Sequence, residues 1–323
     1  SLQTLFAQIP PGYYTSVNGL GGDDLKAELN NIIKDHVKFP YTSNNSIDVW
    51  DIIIETDRDP NNPNNVILLY TGWSINGPNK YDGGNGWNRE HVWAKSHGDF
   101  GTGKGPGTDV HALRACDIDV NAKRSNRWFG NCSESYIQNG VVTGSYLSLT
   151  EWLWQPRDEV KGDVARMIFY MATRYEGHDG EVDLEVIDYL PSSNSTPDPV
   201  HARLTDLLEW HLEDPVDDWE RNRNDIIYND YQKNRNPFID HPEFAHIIWG
   251  DTNIVADTGG GNNGDGGDND STSTSSLSYE TVQQTKELLK VIDMTGRETE
   301  PKANMLLIYI YSDGTREKRV TID

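Results

Sequence analysis

The spacing of apolar residues predicts several helices. Within residues 1–35, Leu and Ile side chains recur every three or four positions after a glycine-rich break, which predicts an entry loop followed by a helix. Residues 161–176 show the same periodicity in its clearest form, and we predict an amphipathic helix there. Two further helices are predicted at 200–213 and 219–231, because Asp214-Pro215 interrupts the pattern between them.

Other segments carry the residue types of β-strands. Residues 49–54 and 65–70 are rich in β-branched residues, and a Pro- and Asn-rich turn at 58–64 separates them, so we predict a hairpin. Near the C-terminus, short apolar runs alternate with turn sequences, including Asp313-Gly314. Strands are predicted there at 288–292, 306–311 and 319–322.

The composition divides the chain. Residues 257–276 contain only Gly, Asp, Asn, Ser and Thr, so they have no apolar surface to bury. We therefore predict a large mixed α+β domain at 1–255, a flexible linker at 256–276 and a small β module at 277–323.

The charge is strongly acidic, with a formal net value of −23, which argues against a nucleic-acid ligand. Residues 85–130 nevertheless carry seven Lys or Arg against five Asp or Glu, a local charge of +2. A chance fluctuation in composition explains this excess as well as a phosphate-binding surface does. An acidic exterior also suits a secreted enzyme that must not adhere to anionic surfaces.

No run approaches the roughly twenty apolar residues that span a bilayer, so we expect no membrane insertion. Residues 1–10 lack the features of a signal peptide. A leader peptide that is removed from the mature protein is the alternative. Cys116 and Cys132 are too few for a structural zinc site. A disulfide between them and two free thiols are equally weighted alternatives.

The densest chemical signal lies at residues 87–130. Glu90 and His91 are adjacent, a glycine-rich loop follows, and His111 and Asn121 come next. Hydrolysis of a phosphodiester needs a base to activate water and a cation to absorb charge on the phosphate. Neutral histidine suits the first task, while carboxylate and amide oxygens suit a hard ion such as Mg²⁺.

The spacing supports this interpretation. Residues 117–126 are predicted to form a helix capped by Asp117 or Asp119, which places Asn121, Arg124 and Ser125 on one face. Successive residues of a regular strand point to opposite sides, so Glu90 and His91 must lie at a strand end or bulge, or flank the phosphate. Taken singly, each of these residues is more often an ordinary surface residue.

Taken together, the motifs resemble those of the bacterial endonuclease I family, periplasmic and secreted nucleases with a ββα-metal (His-Me finger) core. The similarity spans about residues 10–250, and its most specific segments are 88–93 (NREHVW), 109–113 (DVHAL), 120–126 (VNAKRSN) and 234–242 (NRNPFIDHP). The resemblance implies an α+β fold with helix-rich surroundings. Its core would comprise a strand with Glu90 and His91, a strand with His111 and a helix with Asn121.

The resemblance also implies roles. His91 would be the general base, and Glu90 and Asn121 would hold one Mg²⁺. Arg124 would be a catalytic residue, placed either behind the metal ligands or on the phosphate side of the reaction. Mn²⁺ or Ca²⁺ could occupy the same oxygen site. The candidate substrate-binding residues are Arg89, Lys104, His111, Asn126 and Arg166. A structural hydrogen bond is the favoured role for His111, and ion pairing weighs at least as much for Arg166. Ala94, Ala112 and Ala115 depart from the family's usual pattern without touching these assignments.

The C-terminal module, residues 277–323, is similar to the sorting domains of the type IX secretion system, small β-sandwiches read by the export machinery. An accessory binding module is the alternative. With this tail, the resemblance implies a protein exported through the periplasm to the cell surface or medium.

We therefore predict a secreted, monomeric, non-specific endonuclease that cleaves DNA and also RNA and leaves 5′-phosphate ends. The first alternative is an extracellular nucleic-acid or glycan binding protein with a degenerate site. The second is a metal phosphodiesterase that acts on small molecules.

Overall fold

The computed structural model describes residues 9–250, residues 256 and 258, and the backbone of strands at 288–292, 306–311 and 316–320. The chain divides into two compact units, Ser1–Asn262 and Asn263–Asp323. The predicted linker, 256–276, lies almost wholly outside the described residues and stays a prediction. Two of its residues belong to the larger unit: the backbone amide of Ala256 donates to the carbonyl oxygen of Leu20, and that of Thr258 donates to the side chain of Asn18.

The larger unit mixes helices with small sheets, as the α+β prediction requires. Its α-helices are α1 (Gly22–Ile33), α2 (Val49–Thr56), α3 (Ile118–Arg124), α4 (Lys161–Arg174), α5 (Leu204–Glu213), α6 (Asp218–Ile226), α7 (Pro237–Asp240) and α8 (Glu243–Trp249). Its strands are β1 (Arg58–Asp59), β2 (Asn62–Ile67), β3 (Ser74–Asn76), β4 (Trp87–His91), β5 (Leu113–Asp117), β6 (Trp128–Phe129), β7 (Glu134–Gln138), β8 (Val141–Ser148), β9 (Leu153–Gln155), β10 (Glu185–Val186) and β11 (Val200–His201).

These strands form separate sheets. β1, β2 and β3 are antiparallel, and so are β4 and β5. The sheet with order β6-β9-β8-β7 is antiparallel except for its β6-β9 pair, and β10 and β11 are parallel. The β4-β5 pair leads directly into α3, which makes a strand, strand and helix unit.

Helix α4 is the centre of the larger unit. Its residues from Gly162 to Arg174 are all buried, and α1, α5 and α7 contact it. The helix itself confirms the periodicity-based prediction. Its first turn lies so close to the end of α5 that a Cβ at Gly162 would be 2.0 Å from the carbonyl oxygen of Asp214.

Three arginines of the larger unit, Arg166, Arg223 and Arg235, are buried in ion pairs. Arg166, fully buried, contacts both carboxylate oxygens of Glu220 at 2.7 and 2.5 Å. Arg223 pairs with Asp57 at 3.2 Å, and Arg235 donates to Asp240 and Asp225. The substrate-binding prediction for Arg166 is therefore corrected. The desolvation of a buried guanidinium has to be balanced by nearby acids, and that leaves Arg166 unavailable to a ligand.

The predicted hairpin of 49–54 with 65–70 is wrong, because residues Val49–Thr56 form α2. The helix begins at Asp48, whose carboxylate accepts hydrogen bonds from the backbone of Trp50 at 2.8 Å and Asp51 at 3.2 Å. The side chain of Asp51 accepts a hydrogen bond from the backbone amide of Asp48, which completes a capping box. Tertiary burial of one helical face overrides the β propensity of the isoleucines.

The remaining predicted elements agree with the structure to within a few residues. Helices are confirmed as α1, α5 and α6, and α6 continues into a π-helical turn, Ile227–Tyr231. In the smaller unit, β12 (Leu288–Ile292), β13 (Leu306–Tyr311) and β14 (Arg316–Val320) form one antiparallel sheet in that order. A sandwich is not shown by these strands, and Asp313-Gly314 lies outside the described residues. In the described part of the chain, no helix has the length and hydrophobicity to cross a membrane.

The cap of α2 can be tested by Asp48→Ala. The change removes the acceptor of the Trp50 and Asp51 backbone groups, so we expect the free energy of unfolding to fall by about 1–2 kcal/mol. Urea unfolding gives the value. Asn44→Ala, in the exposed loop before the cap, serves as the matched control and should change stability by less than about 0.5 kcal/mol. An equal loss in both variants would contradict the assignment of the cap.

Candidate active site

A cavity of about 380 Å³ opens where β4 ends beside α3. Its walls combine charged, amide and small side chains. The lining residues are Glu90, His91, Ala94, Lys95, Ser96, Asn121, Ser125 and Asn126. The cavity therefore brings together the predicted base, the two predicted metal ligands and one of the predicted substrate-binding residues.

The β4-β5-α3 unit positions these groups. Glu90 pairs with Arg114 and His91 with Leu113 across the two strands, and His91 is the last residue of β4. The strand end resolves the expected conflict between neighbouring side chains, because both Glu90 and His91 line the cavity. Asp117 then caps α3, accepting from the backbone of Asp119 and Val120 at 3.0 Å each.

Asn121 is oriented by its amide nitrogen. Nδ2 donates to Oδ1 of Asn88 at 2.7 Å and to the carbonyl oxygen of Arg89 at 3.3 Å. Both partners accept, so the NH₂ end of the amide must face them. Among the residues that the structure describes, the Oδ1 atom of Asn121 has no hydrogen-bond partner, and Asn121 lines the cavity.

Glu90 is held by one oxygen only. Its Oε1 accepts from the Tyr70 hydroxyl at 2.8 Å and contacts the Arg124 guanidinium at 3.1 Å. Burial raises the pKa of Glu90 to about 6, although Arg124 and Tyr70 both act to lower it. Within the described residues, Oε2 has no hydrogen-bond partner, so the carboxylate has one oxygen to offer a ligand.

His91 is held by its Nε2, which lies 3.0 Å from the carbonyl oxygen of Gly107. A carbonyl only accepts, so Nε2 carries the proton. Burial lowers the pKa of His91 to about 3, so the ring is neutral near pH 7 and Nδ1 has a free lone pair. Tyr41 stacks on the imidazole with ring centroids 5.5 Å apart. Gly107 must be glycine here, because a Cβ would lie 1.9 Å from the Gly101 carbonyl oxygen.

The donor set fits a hard divalent ion. Glu90 Oε2 and Asn121 Oδ1 are unpaired oxygens in one cavity, the ligand types that Mg²⁺ prefers. The described residues contain one other cluster of possible ligands, Glu176, Asp183 and Glu185. There, the Lys26 ammonium already contacts Glu176 at 2.6 Å and Glu185 at 2.9 Å, so it offsets part of the cluster's negative charge.

Arg124 does not line the cavity but contacts Glu90, so it lies behind a proposed metal ligand, the first of its two expected places. The guanidinium is 1% exposed and donates to the carbonyl oxygens of His91 at 3.0 Å and Val92 at 2.7 Å, besides contacting Glu90. These three contacts and the ring of Phe129 hold the guanidinium in place. Arg124 therefore supports Glu90 and is not part of the cavity lining.

Two other candidates are also buried away from the cavity. Arg89 lies between the rings of Tyr41 and Trp50, at 3.3 and 4.0 Å from their centroids, and donates to the backbone of Tyr41. His111 is 1% exposed and lies on a 3-10 turn, Val110–Ala112, before β5, and not on a strand as expected. Its Nε2 lies 3.1 Å from the Asn234 carbonyl oxygen, which agrees with the favoured structural role.

Asn126 and Lys104 keep access to solvent. Asn126 lines the cavity, donates to the Asn194 carbonyl oxygen at 2.7 Å and accepts from the Trp152 indole at 2.9 Å. Lys104 is exposed on the glycine-rich loop, three residues before Gly107.

Sequence reasoning missed several residues at the site. Asn88 and Tyr70 orient the proposed metal ligands, and Tyr41 stacks on His91. Asn88 stood within a recognised motif, so its position gave a signal, whereas Tyr41 and Tyr70 are distant in sequence. Lys95 lies four residues after His91 and appeared only in the charge count.

The two cysteines are free thiols, so the disulfide alternative is not found. Cys116 is buried in the main hydrophobic core beside Phe129 and Val120. Cys132 packs against a separate cluster around Trp128, and its thiol contacts the carbonyl oxygen of Gly130. The placement in different clusters separates the two side chains.

Comparison with known proteins identifies relatives. A family model described as Endonuclease I matches residues 21–243. An extracellular ribonuclease of Bacillus subtilis (strain 168) is 53% identical over 241 residues, covering 73% of this chain and 78% of the relative. An extracellular ribonuclease of Bacillus amyloliquefaciens is 51% identical over 253 residues, covering 76% of this chain and 83% of the relative. Dependence on a divalent metal is typical of the matched family.

Replacing Arg124 tests the support of Glu90. The pKa of Glu90 is higher in the folded protein than in the unfolded chain, where it is about 4.3. The contribution of Glu90 to stability is therefore fully present below pH 4.3 and is lost as the pH rises through 6. Arg124→Met removes a lowering influence, so the pKa of Glu90 should rise further. We expect a stability loss of about 3 kcal/mol at pH 8 and a smaller loss at pH 5, measured by urea unfolding.

The control is Arg221→Met, because Arg221 is a surface residue in an exposed pair with Asp218. It should change stability little at either pH. If Arg124→Met loses the same stability at pH 5 as at pH 8, Arg124 does not balance the charge of Glu90.

Proposed function

The chain belongs to the endonuclease I family and is a nuclease, that is, a phosphodiester hydrolase, and on that premise we propose a metal-dependent endonuclease that cleaves DNA and RNA with little sequence preference. One observation carries the proposal. In a single cavity, a neutral histidine with a free Nδ1 lies beside two unpaired oxygens, from Glu90 and Asn121.

We assign His91 as the general base. Its Nδ1 accepts a proton from the attacking water, while the Nε2–H bond to Gly107 holds the tautomer and the ring plane. Stacking on Tyr41 restricts rotation of the imidazole. The low pKa keeps His91 unprotonated across the physiological range, so the base is available before substrate binds.

Glu90 Oε2 and Asn121 Oδ1 would hold the divalent ion. When bound, the ion neutralises charge that develops on the phosphate. Mg²⁺ fits this oxygen pair best, and Mn²⁺ or Ca²⁺ could take the same ligands. The ion pair with Arg124 favours the ionised form of Glu90, and the hydrogen bond to Asn88 orients the amide of Asn121. We propose that the 3′ oxygen leaves, so the products carry 5′-phosphates.

The substrate range rests on both the relatives and the cavity. The two relatives are named ribonucleases, which supports RNA as a substrate. The side chains that line the cavity suit a phosphate and a metal ion. Recognition of specific bases would need a further element that enters a groove of the nucleic acid, so we propose little sequence preference. We propose that the protein acts as a monomer, since one copy supplies the candidate base and both candidate metal ligands.

Export of the protein is part of the proposal. Both relatives are described as extracellular, so we propose that this chain is secreted. Residues 277–323 would act as the address that the secretion machinery reads, consistent with a separate compact unit at this end of the chain.

The nuclease proposal is tested on supercoiled plasmid and on total RNA. We expect cleavage of both, loss of cleavage in chelator and recovery when Mg²⁺ is added back. His91→Ala should lower the rate by about 10²–10⁴ without loss of folding, since general base catalysis supplies about that factor. The plasmid products should carry 5′-phosphates, so a ligase should join them without prior phosphorylation.

His178→Ala is the matched control, because His178 is exposed and outside the cavity. It should keep full activity. Full activity in a folded His91→Ala variant would overturn the assigned base. Hydrolysis of simple phosphodiesters with no cleavage of plasmid or RNA would favour the small-molecule phosphodiesterase instead.

A further inference from the structure

A cation from the protein would add to the attraction between the cavity and a phosphodiester, besides the proposed metal. The arginines nearest to Glu90 and His91 in sequence do not supply one. Arg124 is engaged with Glu90 and two carbonyl oxygens, and Arg89 is enclosed by Tyr41 and Trp50. Lys104 is exposed on its loop and is not among the lining residues.

Lys95 is the remaining cation at the cavity wall. It is half-buried and lines the cavity with His91 and Ser96. Its ammonium is close enough to His91 to be among the charges that lower the pKa of that imidazole. The local backbone is ordered, because the carbonyl oxygen of Lys95 accepts from the amide of Phe100 at 3.1 Å and that of Ala94 accepts from the amide of His97 at 2.9 Å.

Lys95 also has no carboxylate within ion-pair distance among the described residues, whose ion pairs do not include it. An unpaired ammonium at a concave site is suited to an anion supplied by a ligand.

We propose that Lys95 binds a non-bridging oxygen of the substrate phosphodiester in this cavity, and thus contributes to affinity for nucleic acid independently of the metal. The inference rests on the proposed function, since it takes the nucleic-acid backbone as the ligand. Lysine acts here as a point charge, so the contact favours no base and suits both DNA and RNA. Lys95 and the Glu90-Asn121 pair would hold one phosphate from separate parts of the wall.

Binding without cleavage tests the proposal. A fluorescent 16-base-pair DNA duplex is titrated with the full-length protein in chelator, at several KCl concentrations. Lys95→Met keeps the aliphatic stem and removes the charge, so we expect about tenfold weaker binding at low salt. One lost phosphate contact should also reduce the slope of log K against log salt by about 0.9. Lys95→Arg should keep the slope of the wild-type protein.

A merely structural lysine would not change that slope. Lys34→Met is the matched control, because Lys34 bonds to Asn31 on α1 and lies outside the cavity. It should bind as the wild-type protein does, and urea midpoints confirm folding of each variant. An unchanged slope in folded Lys95→Met overturns the inference, and so does the absence of salt-dependent binding by the wild-type protein in chelator.

The two proposals fail in different ways. If plasmid cleavage in Mg²⁺ persists while Lys95→Met leaves the salt slope unchanged, the nuclease proposal stands and the role of Lys95 is wrong. If the wild-type protein cleaves neither plasmid nor RNA, the proposed function fails whatever the binding data show.

Discussion

The buried contact between Arg124 and Glu90 is the interaction on which the rest of the site depends. The guanidinium comes from the last residue of α3 and reaches under the end of β4, where it contacts Glu90 Oε1 and the carbonyl oxygens of His91 and Val92. It therefore joins helix to strand and supplies a counter-charge for a carboxylate that burial would otherwise neutralise. Without that charge, Glu90 would be a poor ligand for a cation at neutral pH.

Contacts within the protein also orient the three functional side chains at the cavity. Each is fixed by one polar atom and presents the other: Glu90 is held by Oε1, Asn121 by Nδ2 and His91 by Nε2. The free atoms are a carboxylate oxygen, an amide oxygen and an imidazole nitrogen with a lone pair. Preorganisation of this kind places the cost of ordering the side chains on folding instead of on substrate binding. It also explains why Tyr70, Asn88 and Gly107 matter although none supplies chemistry.

The sequence predicted what depends on local pattern. Helical periodicity located α1, α4, α5 and α6. The cap preference of Asp117 or Asp119 located α3, and the structure shows that Asp117 is the cap. It failed where tertiary contacts decide. Residues 49–56 have a β-rich composition, but a capping box and one buried face make them helical.

The same limit applies to the site. The residue spacing predicted that Arg124 and Asn121 share one face of α3. The long side chain of Arg124, at the C-terminal end of this short helix, instead reaches β4. His111 and Arg166 were both predicted to bind substrate, and only packing shows that both are buried away from the cavity. The most direct measurement of the central claim is the anomalous diffraction of crystals soaked in Mn²⁺. Our account predicts a peak bonded to Glu90 Oε2 and Asn121 Oδ1, and a peak confined to Glu176, Asp183 and Glu185 would contradict it.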